Sequence, residues 1–483
     1  MKRPNILIFM TDQQQNAVTY PDHPCQTPNL QQLAEVGIRY NHTYTTMAHC
    51  CPSRASFMTG LYPSQHGVYN NVSNPAAIHH KLNEGVTTFA EDLKGNGYSL
   101  HFSGKWHISA EENPSDRGWE ELMVTANKDA YMGVTIEQWR ERQNTPKSEE
   151  RKPGEIVRPG WGNYQLYGTN PESLEETEDY QVVKKAVDRL GELKDQKDPW
   201  CMYVGTFGPH DPFIVPEKYA KMYDPNNIEL PANYHDSLEN KPGLYSRMRK
   251  VWDQLSEQEV KESIAHYWGY CTMVDDLFGL VMEKLESTNQ AEDTLVLFLS
   301  DHGESLGAHG LYLKGLSPFD ETYRIPCIMR WPKGIEQPGR EINELISIMD
   351  FAPTFLKLAG IDKNKEIMGR SLVPWINNID PKEWRDAVYT QCNGVEIYYS
   401  QRIVRTKNYK LVYNPTAVDE LYDLRNDPLE MNNLAEVESM QEIKIALLKK
   451  FWQEAANAED IIFNPYATIA VADVGPAAAI GKD

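Results

Sequence analysis

The sequence predicts an α/β protein: a large, mostly parallel sheet between two layers of helices, followed by a smaller C-terminal α+β domain. Three observations carry this. Apolar runs recur at residues 5–10, 98–103, 200–207 and 294–299, with helix-patterned segments between them. Strands joined by helical crossovers build parallel sheets. The runs at 5–10 and 294–299 are continuous rather than alternating, as in strands covered on both faces. From about residue 365 the texture changes to short strands of antiparallel type and one helix. At 483 residues the chain exceeds one ordinary domain. The expected division is 1–365 and 366–483, with insertions at about 110–176 and 214–260.

The elements follow in order. The first strand, Asn5 to Met10, ends at Asp12 and Gln13. In an open α/β sheet that edge is where ligands bind; a turn or N-cap aspartate is the ordinary alternative. Thr27 and Pro28 open a helix running through Ala34, as N-cap and first helical residue. Tyr40–Thr46 is extended. Ser53–Met58 begins a helix, with Cys50 just ahead of its N-terminus, where free N–H groups favour an anion. A helix over Thr88–Gly95 leads to a strand, Tyr98–Ser103, ending in Gly104-Lys105-Trp106-His107. Lys105 and His107 alternate, so an extended backbone would aim both to one face.

Residues 110–176 read as an insertion over the mouth of the site, with Trp119, Trp139, Trp161 and the basic stretch Arg140–Lys152. Its aromatics either stack on a substrate ring or pack the insertion down. Glu178–Leu193 is helical, with Tyr180, Val183, Ala186, Val187 and Leu190 on one face. The strand Trp200–Phe207 ends in Gly208-Pro209-His210-Asp211-Pro212. Tyr267–Leu285 is an amphipathic helix whose Asp275 and Asp276 belong to a solvated face. The run Thr294–Leu299 ends in Ser300-Asp301-His302-Gly303-Glu304, followed by Gly307 to Lys314. Arg324–Ile328 is a strand and Met349–Gly360 contains a helix. Strands at Val404–Thr406, Leu411–Tyr413 and Glu420–Leu424 and a helix at Ser439–Ala456 make the second domain. The tail after Phe463 is either mobile or packed on a partner subunit.

Composition narrows the function. A hydrophobic fraction of 41% and a charged fraction of 24% are those of a globular protein. A net charge of −21 argues against nucleic acid and anionic membrane as partners, and an anionic substrate would need a local basic pocket. No apolar run approaches a membrane span. Residues 1–12 lack a cleavable signal, and seven scattered cysteines form no disulfide framework. The chain reads as cytoplasmic, a signal peptide already removed being the alternative.

The densest pattern is Cys50-Cys51-Pro52-Ser53-Arg54, with Met58-Thr59-Gly60 after it. A cysteine before a helix is ordinarily a small buried residue, and a Cys-Cys pair could bind metal or cycle redox states. The whole string, however, resembles the signature of the formylglycine-dependent sulfatases, Cys-x-Pro-Ser-Arg-x-x-x-(Leu/Met)-Thr-Gly. Gly104 to His107, the Pro-His-x-Pro at Pro209–Pro212, Asp301-His302-Gly303, Gly307 to Lys314, and Asp427 to Ala435 resemble further segments of that family. The resemblance covers nearly the whole chain, least so in the insertions.

It implies an alkaline-phosphatase-like core. It also implies that a formylglycine-generating enzyme oxidises Cys50 to 3-oxoalanine, whose hydrate attacks sulfur, releases the alcohol and then expels sulfate as the aldehyde re-forms. Such covalent catalysis divides one difficult displacement into two easier steps. By the same resemblance Asp12, Gln13, Cys50, Asp301 and His302 hold a divalent metal. Gln13 stands where many sulfatases have a second aspartate. Its amide oxygen can still ligate, with one negative charge fewer. Calcium is the first choice, with manganese or magnesium next. Arg54, Lys105 and Lys314 would hold sulfate oxygens. His107 would be the base, and His210 the acid for the leaving alcohol with Lys314 as rival. The expected substrate is a sulfated mono- or oligosaccharide or a small aryl or alkyl sulfate. Two rivals stand beside this reading. A phosphonate monoester or phosphodiester hydrolase would not be expected to carry Gly104-Lys105-Trp106-His107. A non-catalytic sulfatase-like binding protein would show a degenerate site, and Gln13 is the one departure.

Overall fold

The computed structural model describes residues 3–74, 76–125, 151–158, 162–362, 367–395, 397–466, 472 and 474–478. Trp139, Trp161 and most of the basic stretch from Arg140 lie outside the described residues. The large sheet contains β1 (Asn5–Thr11), β2 (Ile38–Tyr44), β3 (Ser99–Lys105), β4 (Glu120–Thr125), β5 (Trp200–Gly205), β6 (Thr294–Ser300), β7 (Arg324–Ile325), β8 (Cys327–Arg330) and β9 (Arg340–Ser347). Their order is β7-β2-β8-β6-β1-β5-β3-β4, with β9 also on β2. The central run β6-β1-β5-β3-β4 is parallel throughout.

Register makes the strand ends level. Thr11 lies opposite Ser300, and Gly205 lies opposite both Met10 and Gly104. Residues just after β1, β3, β5 and β6 therefore emerge side by side. Gly104 is required at this edge. Its φ is +110°, and a Cβ there would meet the Gly205 carbonyl oxygen at 1.9 Å.

Alternation assigns the two core layers. Ile6, Ile8 and Met10 of β1 face one layer, with α2 (Cys50–Thr59), α3 (Phe89–Gly95) and α7 (Phe351–Leu358). Leu7 and Phe9 face the other, with α1 (Pro28–Glu35), α4 (Glu178–Glu192) and α6 (Glu257–Ser287). Helix α5 (Gly243–Trp252) lies in the segment just before α6. The smaller sheet, antiparallel throughout, orders β10 (Ala387–Cys392), β11 (Gln401–Thr406), β12 (Tyr409–Tyr413) and β13 (Glu420–Asp423). Helix α8 (Gln441–Asn457) covers one face through Phe451, Trp452 and Ala455. The opposite face, with Val388, Ile403 and Val412, packs on Tyr44, Phe319 and Tyr323 of the large domain.

Several expectations are corrected. For Trp119, where the sequence leaves both roles open, the structure gives the packing one: it is 3% exposed and packs edge-on to Phe89 and Phe102. The stretch from residue 110 supplies β4 at the sheet edge. Asp275 is fully buried, not solvated. It accepts hydrogen bonds from the Asn29 and Leu30 amides and caps α1 from another helix, while Thr27 donates to the Val18 carbonyl instead. Pro326 divides the strand expected over Arg324–Ile328 into β7 and β8. Cys50 is the first residue of α2 rather than the residue ahead of it. The described tail residues Ala472 and Val474 pack on the C-terminal domain itself, Trp452 donating to the Val474 carbonyl. Among the described residues no helix is long and apolar enough to cross a membrane.

Candidate active site

Helix α2 is buried along its whole length, which is unusual for a sequence containing Ser, Thr and Arg. Each polar group must therefore find a partner. Ser53 donates to the Asp301 carbonyl at 2.5 Å, Ser56 pairs with His66, and Thr59 donates to the Ala55 carbonyl. His49 is the extended N-cap, and Gly60 closes the helix in the left-handed region at φ +71°. This fixes Cys50 in the first turn, facing the level strand ends.

Arg54 reaches further. Its Nε donates to Asp301 at 2.7 Å and its Nη2 to Asp12 at 3.1 Å, while Nη1 meets the Lys105 carbonyl and the Tyr203 hydroxyl. All five side chains are buried. The guanidinium thus holds the two carboxylates beside one another, which two bare buried anions could not do.

Around the Cys50 sulfur stand His302 Nε2 at 3.3 Å, Lys314 Nζ at 3.5 Å, and Lys105 Nζ and Asp12 Oδ1 at 3.7 Å each. His107 also acts electrostatically on the sulfur, while its buried Nδ1 has no partner among the described residues. It does so from a left-handed backbone at φ +51°, not from an extended strand. Lys105 donates to Asp12 at 2.5 Å. His210 Nε2 lies 2.6 Å from Lys314 Nζ, and its Nδ1 lies 2.7 Å from the Asp211 carbonyl oxygen. The fold thus brings together all ten candidate residues: Asp12, Gln13, Cys50, Arg54, Lys105, His107, His210, Asp301, His302 and Lys314.

The electrostatics separate two adjacent cysteines. Burial pushes the Cys50 thiol up, but Lys105, Lys314 and His302 outweigh it and hold it well below the ordinary thiol range. Cys51 meets burial with no such compensation and stands well above that range, its sulfur accepting from the Val72 amide in the core. Burial likewise pushes the Asp12 carboxyl up, and Lys105, His210 and Arg54 together bring it below the usual carboxylate range.

A divalent metal fits this donor set. Asp12, Cys50, Asp301 and His302 are buried, and one ligand atom from each lies within 4.8 Å of the others. His302 Nδ1 lies 2.9 Å from the Gly303 carbonyl and donates to it, so Nε2, toward the two carboxylates, is the nitrogen that would give up its proton to ligate a metal. The orientation of the neighbouring Gln13 amide is fixed. Nε2 donates to Glu304 at 2.5 Å and to Asp211 at 3.0 Å, so Oε1 faces Lys314 at 3.0 Å.

Sequence reasoning assigned no chemistry to Glu304, Asp211, Tyr203 or Tyr164. Glu304 is fully buried and also accepts from the Leu306 and Leu313 amides, which shapes the turn that delivers Lys314. Tyr164 donates to Asp211 at 2.5 Å. The signal available was the presence of Glu304 and Asp211 inside motif strings at strand ends.

Comparison with known proteins places the chain. A family model described as Sulfatase matches residues 4–361, and one described as N-sulphoglucosamine sulphohydrolase, C-terminal, matches residues 307–457. The sulfatase YidJ of Escherichia coli is 32% identical over 454 residues, covering 90% of this chain and 83% of its own. A choline-sulfatase of Rhizobium meliloti is 31% identical over 457 residues, with the same two coverages. A phosphonate monoester hydrolase of Agrobacterium radiobacter shares the alkaline-phosphatase-like fold, with a TM-score of 0.78 at 24% identity, covering 94% of this chain and 96% of that one. The matched residues span both domains and every strand that delivers a candidate side chain, and on that ground the chain belongs to the sulfatase family.

Proposed function

We propose that this sulfuric ester hydrolase cleaves its sulfate ester with residue 50 as nucleophile after Cys50 is oxidised to formylglycine. The single observation that carries the proposal is the convergence on the Cys50 sulfur of His302, Lys314, Lys105 and Asp12, all within 3.7 Å. An aldehyde hydrate at this position would supply a hydroxyl nucleophile and a second hydroxyl to expel sulfate. Asp12, Gln13, Asp301 and His302 would hold calcium, or manganese or magnesium, which supplies Lewis acidity when bound.

The chain's own residues do the rest. Lys105 and Lys314 present two ammonium groups to the sulfate oxygens and stabilise charge in the transition state. Arg54 keeps Asp12 and Asp301 together rather than meeting substrate directly. His107, which interacts with the residue 50 side chain and keeps a buried Nδ1 without a partner among the described residues, would take a proton there. His210 and Lys314, 2.6 Å apart, are placed to give one to the leaving alcohol. The catalytic unit would be residues 1–365, with 366–483 as a supporting domain. Seven free cysteines support a reducing, cytoplasmic setting. The match of residues 307–457 to the N-sulphoglucosamine sulphohydrolase family model supports a sulfated sugar over a simple alkyl sulfate.

A phosphonate monoester hydrolase remains the second reading because the Agrobacterium enzyme shares the fold. Lys105 and His107, both at the residue 50 side chain, favour sulfate. The test is hydrolysis of phenyl sulfate beside a phenyl phosphonate monoester, using protein co-expressed with a formylglycine-generating enzyme. Faster sulfate turnover is expected; a large preference for the phosphonate would promote the second reading.

A further inference from the structure

A cavity of about 470 Å³ opens beside the nucleophile position. Lys314 and His49 line it on one side; the first lies 3.5 Å from the Cys50 sulfur and the second precedes Cys50 in the chain. Helix α5 supplies another side. Its Leu244, Arg247, Met248 and Val251 have the i, i+3, i+4, i+7 spacing of one helix face. Leu316 adds apolar surface. A volume in the range of about 300–1,000 Å³ suits a small ring-bearing molecule. With the sulfate group held at Lys105 and Lys314, this cavity takes the alcohol part of the ester.

The charge of the wall is one-sided. Among the described residues no carboxylate lines the cavity. Arg247 is exposed yet lines it, so it stands at the mouth. Among the described residues Arg247 makes no ion pair and no hydrogen bond. Arg249, on the same helix, is by contrast tied to Asp253 and to the Asp236 carbonyl. A neutral ligand filling the cavity would strip water from the Arg247 guanidinium and return nothing. A cationic one would add repulsion from both Arg247 and Lys314. An anionic substituent restores what desolvation removes, and a guanidinium meets carboxylate and sulfate alike with a planar pair of donors.

Resting on the sulfatase reading, we infer that the alcohol released by this enzyme carries a second anionic group, a carboxylate or a further sulfate, held by Arg247 while its apolar face lies on Leu244, Met248 and Leu316. A quaternary ammonium alcohol is disfavoured by the same wall. The choline-sulfatase resemblance therefore does not extend to substrate choice.

The test compares matured wild type with Arg247→Met on phenyl sulfate, 4-carboxyphenyl sulfate, benzene-1,4-diyl disulfate and 4-(trimethylammonio)phenyl sulfate. Comparing the two proteins on one ester cancels that ester's own leaving-group reactivity. The loss in kcat/KM on at least one of the two esters with an added anion is expected to exceed the loss on phenyl sulfate by about tenfold or more. Whether the carboxylate or the disulfate loses more assigns the source of the anion. The trimethylammonio ester should lose least, and Arg247→Lys should retain more than Arg247→Met on the anionic esters. Equal losses on all four esters, or the largest loss on the cationic one, would overturn the inference. Failure of the sulfatase reading has a separate signature: wild type would leave all four sulfates intact. Calorimetric binding of 4-hydroxybenzoate against phenol, in wild type and Arg247→Met, then decides the Arg247 question without turnover. A wild-type preference for 4-hydroxybenzoate that the variant loses supports the inference, and no preference in wild type overturns it.

Discussion

The rim of strand ends and the α5 wall meet at Lys314, which approaches Cys50 and lines the cavity, and are built on opposite principles. At the rim, Asp12, Arg54, Lys105, Asp301 and His302 are all buried, and each is tied to at least two others of the group or to Cys50. Their positions descend from the sheet register, which no single side chain can alter. On the α5 wall, Leu244 and Met248 are only partly buried, and Arg247 is bound to nothing described. That helix lies in the segment between β5 and α6. The contrast teaches where each property of the enzyme resides. Reaction chemistry sits on the rigid sheet edge, and the choice of alcohol sits on a helix that can vary without disturbing it.

The comparison predicts that rim substitutions lower turnover of every ester alike, whereas wall substitutions act on some esters and not others. Cys50→Ala should lower hydrolysis of every sulfate ester by about 10⁴-fold or more. Its neighbour Cys51→Ala should cost only about 1–2 kcal/mol of stability, because Cys51 is core. Steady-state kinetics and denaturant unfolding read the two outcomes, and an inactive Cys51→Ala would blur the distinction between them. Glu304→Ala removes one of the two carboxylates that orient the Gln13 amide and, on the proposed calcium site, should raise the half-saturating calcium concentration by about 10–100-fold, the usual effect of losing a residue that orients a ligand. Calcium titration of chelator-treated protein measures this, and an unchanged midpoint would remove Gln13 from the metal site. Asp275→Ala, remote from the rim, should cost about 2–3 kcal/mol of stability through two unsatisfied α1 amides. Its kcat/KM should stay within about twofold, which separates a helix cap from a catalytic acid. Met248→Ala is the smallest change expected, about 1 kcal/mol of contact and so about fivefold in KM for ring-bearing esters. The same change on a methyl sulfate would contradict the assignment of this wall to the alcohol.

The strand-end residues were legible because three kinds of signal coincide there. Asp12 and Asp301 follow apolar runs, Lys105 and His107 follow another, and the Cys50 string fixes the helix opposite. Glu304 was not legible as a partner, since it acts on Gln13 across 291 positions of sequence. Asp211 was equally silent, its carboxylate divided between Gln13 and Tyr164. Asp275 was misread and Trp119 left open for one reason: an insertion and a helix face look solvent-directed until the neighbouring element is known. β4 made Trp119 core, and the start of α1 buried Asp275. The α5 face lay within the insertion expected at about 214–260 and had no reading of its own, and helical spacing alone does not distinguish a core stripe from a cavity wall.

The central claim is that residue 50, once oxidised, is the nucleophile. The most direct measurement pairs the mass of the peptide carrying residue 50 with sulfatase activity, across preparations made with increasing amounts of formylglycine-generating enzyme. The account predicts that activity rises in proportion to the aldehyde fraction, recognised by its lower mass, and extrapolates to zero where only thiol is present. Full activity in a preparation that is entirely thiol would contradict it.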